Sequence, residues 1–290
     1  MKNPKVSVLT PVWNTNPVYL REAIESILSQ TFTDFEFILM NNSPENSEVT
    51  KILKSYKEKD PRIVYVENES NLGIASSRNK LIDLAKGEYI AIFDHDDISM
   101  PKRFEKQVVY MDDNPYVGVV SCNAKFMING RGITKGETTD FPSNNLDIKR
   151  GLMRYCPIMH PGSMIRKSVL ENSGVRYEAQ YSPAEDYMLW IRLMEHTMFH
   201  NLKEALLKWR DFGDNASCLQ REKIVDASAR VTNVARRENP CLADSGCSPV
   251  LKRKEWLRLF FIIPFIKIKR RPDGRTKYYL FGFFPLLYVR

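Results

Sequence analysis

A doubly wound, mostly parallel α/β sheet flanked by helices is predicted by three features of the first hundred residues. Short apolar runs at Lys5–Val12, Phe35–Met40, Ile63–Glu67 and Glu88–Phe93 alternate with stretches whose apolar residues recur at helical spacing. Each run ends in turn-forming or polar residues, and the fourth ends in the acids Asp94, Asp96 and Asp97. Open sheets of this kind bind ligands beyond the carboxyl ends of their strands. The segments Pro11–Asn14, Asn41–Ser43, Glu67–Asn71 and Asp94–Asp97 are therefore expected to converge on one crevice.

The elements follow in order. Lys5–Val12 is a β-rich run ended by Pro11 and Asn14. Asn16-Pro17 then supplies a helix cap and a proline at the first helical position, ahead of Leu20, Ala23, Ile24, Ile27 and Leu28 on one face. After the second strand the loop Asn41-Asn42-Ser43-Pro44 leads to a charged helix from Glu48 to Lys59, and Ile63–Glu67 is the third strand. Asn71-Leu72-Gly73 is a turn before a helix that runs to Ala85 and stops at Gly87. No G-x-G-x-x-G follows the first strand and no G-x-x-x-x-G-K-[ST] occurs, which argues against a dinucleotide site or a P-loop.

Beyond the acids, Met100-Pro101 opens a helix through Met111, Tyr116–Cys122 reads as a strand, and polar residues 123–145 suit a surface hairpin and mobile loop. Asn172-Ser173-Gly174 ends a helix that follows Arg166. Leu189, Trp190 and Leu193 place Ala184–Trp190 on an amphipathic helix with Glu185 and Asp186 at its start. Residues 219–238 form a further helix, with Ile224, Ala227, Val231, Val234 and Ala235 facing the domain, and Pro240–Pro249 is a loop.

Charge is unevenly distributed. The chain of 290 residues carries a net +8, but residues 250–290 hold 11 Lys/Arg against Glu255 and Asp273, a net of 11 − 2 = +9, leaving 8 − 9 = −1 for the rest. Within that tail, basic residues flank the apolar stretch Trp256–Ile266, which is too short to span a bilayer and is interrupted by Pro264. This pattern predicts association of residues 252–290 with an anionic membrane surface; packing of the aromatics in a core or dimer interface is the alternative. Nucleic acid is not an expected partner, because the basic run lacks the DNA- and RNA-binding motifs. The first residues lack the basic-then-apolar pattern of a secretory leader, and five cysteines without a regular framework suit reduced thiols. The expected location is cytoplasmic, peripheral to the inner face of the cell membrane.

Two acidic clusters carry the candidate chemistry. In a continuing strand, Asp94 and Asp96 project to the same side, where hard carboxylate oxygens suit Mn²⁺ or Mg²⁺ completed by phosphate oxygens and water. An acidic turn or helix cap is the alternative. Glu185 and Asp186 stand where a helix dipole favours negative charge, and capping is again the alternative. A histidine before proline is more often packed than catalytic, so His160 stays outside the candidate set.

Val6–Asn14, Leu20–Phe32, Asn71-Leu72-Gly73 with Arg78-Asn79, Gly87–Ile90 and Asp94-His95-Asp96-Asp97, in this order and spacing, resemble family 2 glycosyltransferases. These are inverting, nucleotide-sugar-dependent enzymes of the GT-A fold. The resemblance implies that Asp96 binds the metal directly and that Asp94 touches the ribose or the metal. It also implies that Pro11, Val12 and Asn14 border the base, with His95 among the nucleotide-sugar-binding residues, and that Arg78 lies near the uracil or diphosphate. Ala184–Trp190 resembles the motif that supplies the catalytic base, here Asp186, with Glu185 orienting the acceptor or the loop. Two departures stand out. Asn41 and Asn42 replace an aspartate that holds the uracil or ribose, and Phe212 stands where many members place a histidine, a role open here to Asp211, Asp214 or water.

The segment Tyr278–Leu287 resembles C-terminal segments of bacterial surface-polysaccharide glycosyltransferases. Residues 1–218 are thus expected to form a GT-A domain, with a nucleotide-binding half (1–97) and an acceptor half (98–218), followed by a C-terminal helical and basic-aromatic extension (219–290). The implied activity is transfer of a sugar from a UDP-sugar or other nucleotide sugar to a glycan or glycolipid in lipopolysaccharide, capsule or lipid-linked oligosaccharide synthesis. A nucleotide-sugar-binding protein without turnover is the alternative; a nucleotidyltransferase would want a Gly- and Lys-rich phosphate loop that is absent.

Overall fold

The computed structural model describes residues 3–128, 133–211 and 221–244, together with strand segments between 256 and 289. The first half follows the predicted alternation: β1 (Val6–Val12), α1 (Pro17–Leu28), β2 (Phe35–Asn41), α2 (Ser47–Lys59), β3 (Ile63–Glu67), α3 (Ile74–Leu84) and β4 (Tyr89–Ile92). The second half adds β5 (Ile98–Ser99), α4 (Arg103–Asp113), β6 (Val117–Ile128), β7 (Ile133–Thr138), α5 (Asn145–Leu152), β8 (Met164–Arg166), α6 (Lys167–Ser173), α7 (Glu185–Leu193), β9 (Met198–Asp211), α8 (Arg221–Glu238) and α9 (Pro240–Asp244).

The strand order is β3-β2-β1-β4-β8-β6-β9-β5, with β7 paired to β6. Strands β1 to β4 are parallel, as their crossover helices require. Beyond β4 the sheet is mixed, because β8 runs antiparallel to both β4 and β6 while β9 runs parallel to β6.

Both faces of the sheet are buried, and the period of two decides which residue faces which layer. Val6, Val8, Phe35, Phe37, Tyr89, Ala91 and Phe93 join the layer containing α1, α2 and α4. Leu9, Ile38, Met40, Ile90 and Ile92 join the layer containing α3, α5, α6, α7 and α8. Asn16 caps α1 by accepting from Val18 N at 2.9 Å. Gly87 is required by proximity, since a Cβ there would lie 2.5 Å from Ser7 N. Gly174 ends α6 in the left-handed region at φ 69°.

Three features differ from the sequence reading. The 14-residue strand β9 was not legible, because Asn201, Lys203 and Glu204 interrupt its apolar pattern; Asn201 is buried there and donates to Pro142 O and Pro157 O, both at 2.8 Å. Residues Pro240–Asp244 form a short helix rather than loop, with Ala243 N donating to Asn239 O at 3.1 Å. The tail contains four strands, β10 (Trp256–Leu257), β11 (Ile266–Arg270), β12 (Thr276–Leu280) and β13 (Phe284–Val289), paired antiparallel in chain order.

Helix α8 belongs to the main core. Its Ala227, Val231 and Ala235 are buried with residues of α7, and Arg192 reaches Glu238 at 2.8 Å. Among the described residues no helix is long and apolar enough to cross a membrane.

Candidate active site

The carboxyl ends of β1, β2 and β4, the turn before α3 and the start of α7 open on one crevice of about 660 Å³. Pro11, Asn42, Asn71, Arg78, Asp94, His95 and Asp96 line it, and Glu185 and Asp186 line it too. The two acidic clusters, some ninety residues apart in the chain, therefore share one space.

The acid loop is held from three sides. Thr10 Oγ1 donates to Phe93 O at 2.9 Å, and His95 Nδ1 lies 3.2 Å from Pro11 O, which ties the end of β1 to the residues that follow β4. Arg103, fully buried, donates to Ile92 O at 2.8 Å and Ser163 O at 3.1 Å. No described carboxylate contacts its guanidinium, and burial lowers its pKa to about 10. From β9, Arg210 Nε donates to Asp96 O at 2.5 Å, Arg210 N donates to Asp97 Oδ1 at 3.0 Å, and the guanidinium also pairs with Glu22. Asp97 is thus a buried brace, whereas Asp94 and Asp96 open to the crevice.

Such packing makes the acids costly to charge. Burial raises the pKa of Asp96, with His95 opposing and Asp94 adding to the shift. Asp97 is pushed well above the usual carboxylate range by burial, then by Asp96 and Asp94. Its Oδ2 is buried without a hydrogen-bond partner among the described residues. Carboxylates crowded in this way fit a divalent cation, which would relieve their repulsion. Asp94 and Asp96 supply hard oxygen donors, and no described group of three or more acidic, His or Cys side chains forms a complete cage.

The second cluster stands on the first turn of α7, whose N-cap Ala184 offers no side-chain oxygen. Glu185 is buried and fully engaged: Oε1 pairs with Arg78 Nη1 at 2.9 Å, and Oε2 accepts from Ser182 Oγ at 2.9 Å. Asp186 is half-buried and accepts from Tyr187 N at 2.7 Å. Burial and then Glu185 raise its pKa to about 7, against the opposing pull of Arg78. A carboxylate with that pKa is suited to accept a proton near neutrality.

Arg78 joins the clusters. It reaches Glu185 at 2.9 Å and Asp94 at 3.3 Å, and lies 5.5 Å from the centre of the Tyr177 ring. Burial disfavours its charge, but Asp94, Glu185, Tyr177 and Asp186 outweigh that cost and raise its pKa. His160 also lines the crevice, with Nε2 2.8 Å from Tyr177 OH. Burial, and then Arg78, lower its pKa well below the usual value, so the imidazole is neutral.

Not every candidate faces the crevice. Val12 packs in the core. Asn14, at φ 39°, donates its backbone N–H to Ser43 Oγ at 3.2 Å, and its Oδ1 accepts from Asn46 Nδ2 at 3.2 Å, bracing the loop to the start of α2. Asn41 is buried, its NH₂ donating to Thr50 Oγ1 and Tyr65 OH and its oxygen accepting from Ser43 N. Phe212 and Asp214 lie outside the described residues, as does the Asp211 side chain. Sequence reasoning missed Trp13, which is 51% exposed at the crevice, and the braces Arg103 and Arg210. One signal was present for Arg103: with Gln107 it falls at i and i+4 among Phe104, Val108 and Met111 on the buried face of α4.

Comparison with known proteins identifies the family and the fold. The family model described as Glycosyl transferase family 2 matches residues 7–174, and the chain belongs to that family. An uncharacterized glycosyltransferase of Methanocaldococcus jannaschii is 37% identical over 211 residues, covering 72% of each chain. The O-antigen biosynthesis glycosyltransferase WbnJ of Escherichia coli is 34% identical over 197 residues, covering 66% of this chain and 74% of WbnJ. Among solved structures, TarS 1–349 of S. aureus in complex with UDP-GlcNAc superposes with a TM-score of 0.63 at 20% identity, covering 80% of this chain and 66% of that one. The mannosyltransferase PcManGT of Pyrobaculum calidifontis, in complex with GDP-Man and Mn²⁺, gives 0.61 at 18% identity, covering 81% of this chain. This chain spans about two thirds of the length of those two structures, 66% and 65%. At these identities the likeness is one of fold, the GT-A arrangement.

Proposed function

We propose that the protein transfers a sugar, with inversion, from a UDP-sugar to a glycan or glycolipid acceptor in cell-surface polysaccharide synthesis. The observation that carries this reading is the single crevice in which Asp94 and Asp96 face Asp186, with Arg78 between the clusters. Asp186 accepts the proton of an acceptor hydroxyl as its oxygen forms a bond to the anomeric carbon. The bond from that carbon to the diphosphate breaks, and its electrons leave with the nucleoside diphosphate. Asp94 and Asp96 would hold Mn²⁺ or Mg²⁺, whose charge offsets the negative charge growing on the leaving group. Glu185 and His160 hold Arg78 and Tyr177 in place around the reacting centre.

The relatives support the choice of substrates. WbnJ is named for O-antigen biosynthesis and GgaB of Bacillus subtilis for minor teichoic acid biosynthesis, both cell-surface glycans. The solved complexes of TarS hold UDP and UDP-GlcNAc. The stereochemistry is testable by proton NMR of the transferred sugar: an α-linked nucleotide sugar is expected to give a β-linked product, and an α-linked product would refute single displacement with Asp186 as base.

The basic tail supplies a second part of the reading. Residues 252–290, with their excess of Lys and Arg, place the protein at an anionic membrane surface, where each basic residue contributes about 1 kcal/mol. The full chain is expected to sediment with vesicles containing phosphatidylglycerol, not with pure phosphatidylcholine, and to be released by high salt. Equal partitioning to both vesicle types, or to neither, would contradict it.

A further inference from the structure

At the position where the family resemblance expects an acidic acceptor, the hydrogen-bond network fixes a donor. Lys80 Nζ lies 2.6 Å from Asn68 Oδ1, and an ammonium group only donates, so that atom must be the amide oxygen. The NH₂ of Asn68 therefore points the other way, donating at 2.6 Å to Asn42 Oδ1. Ser77 Oγ lies 3.1 Å from the same oxygen. Ser77 gives its one hydroxyl proton to Gly73 O at 2.7 Å, so it is the NH₂ of Asn68 that fixes the Asn42 amide with its oxygen turned inward, and no described residue accepts from the Asn42 Nδ2. Asn42 is 3% exposed and lines the crevice, so the group it offers a ligand is an N–H donor.

Its place in the sheet says which part of the ligand meets it. Asn42 follows β2, and Asp94 follows β4, two strands away across β1. That separation is about 10 Å at the usual spacing between strands. A nucleoside diphosphate with its phosphates at Asp94 and Asp96 would lay its ribose over the end of β1 and its base over the end of β2.

We propose that Lys80, Asn68 and Asn42 form a specificity-determining relay that reads a carbonyl oxygen of the nucleobase and leaves the adjacent imide N–H unread. An aspartate at position 42 would do the reverse, accepting from the imide N–H and repelling the carbonyl. This inference rests on the nucleotide-sugar reading above.

The test is calorimetric titration with Mn²⁺ of whichever of UDP or GDP binds, against its N-methyl analogue (3-methyl-UDP or 1-methyl-GDP). Wild type is expected to bind the parent and the methylated ligand within about threefold, since the methylated atom makes no hydrogen bond. Asn42→Asp is expected to favour the parent by at least about tenfold, the worth of a hydrogen bond to a charged acceptor. Lys80→Met alters an exposed side chain and releases the amide to rotate, so its discrimination should rise above that of wild type. Strong discrimination by wild type, or Lys80→Met indistinguishable from it, overturns the relay while leaving the donor reading intact. Failure of wild type to bind either diphosphate removes the donor reading, and the relay with it.

Discussion

Asp186→Asn is expected to lower kcat by roughly 10²–10⁴-fold, the usual contribution of a general base, with little change in donor affinity. The amide keeps the shape of the side chain and an oxygen able to accept from Tyr187 N, but it cannot take the proton of the acceptor hydroxyl. The same group sets the pH response. With its pKa raised to about 7, by burial first and Glu185 second, Asp186 is protonated in slightly acid solution, so kcat should fall as pH drops below about 7. Stability should move the opposite way. A carboxyl group whose folded pKa exceeds its unfolded value adds stability that is present below the unfolded pKa and lost as pH rises through the folded one. Between about pH 4 and pH 7 the wild type therefore loses stability from this residue, and Asp186→Asn removes that slope. Urea midpoints across the range, measured beside the rate profile, check both halves. A variant that keeps the wild-type acid limb would contradict the assignment of the base.

Asp96→Ala is expected to abolish Mn²⁺-dependent binding of the nucleoside diphosphate and to reduce kcat/KM by roughly 10³-fold. A cation stabilising the leaving charge supplies several kcal/mol, and about 1.4 kcal/mol is one decade in rate. The folded state should not suffer. Asp96 is raised in pKa by burial and by Asp94, and Asp97 by burial first and then by Asp96 and Asp94, so removing Asp96 relieves the repulsive part of both shifts. Thermal midpoints equal to or above wild type, combined with lost metal-dependent binding in calorimetry, are the expected pair. Unfolding of the variant would instead assign Asp96 to structure, the role that Asp97 and Arg210 already fill.

Much of this was legible because the first hundred residues obey local rules. The apolar runs of β1, β2 and β4 are buried on both faces, and the crossovers between them force parallel pairing, so the convergence of Pro11, Asn42 and Asp94 on one crevice followed from periodicity. The helix that carries Glu185 and Asp186 was equally readable from Leu189, Trp190 and Leu193 behind two acids. What escaped was set by long-range contacts. The resemblance singled out Arg78, but its pairing with Glu185, 107 positions away and 2.9 Å distant, was not readable. Strand β9 hides behind Asn201 and Glu204, and with it Arg210, whose guanidinium and amide brace the acid loop from 113 or more residues downstream. The asparagine pair shows the same limit at finer scale. Asn41 and Asn42 are alike in sequence, yet one is consumed by Thr50, Tyr65 and Ser43 while the other faces the crevice, and only the network around Lys80 decides which atom it presents.

The central claim is that the two acidic clusters act on one nucleotide sugar, and Mn²⁺-dependent release of UDP from a panel of UDP-sugars in the presence of glycan acceptors tests it most directly. Turnover of one donor by wild type, lost in Asp96→Ala through binding and in Asp186→Asn through kcat while both variants stay folded, is the predicted result. Turnover that survives both substitutions, or a wild type that binds no nucleotide sugar with or without metal, would contradict it.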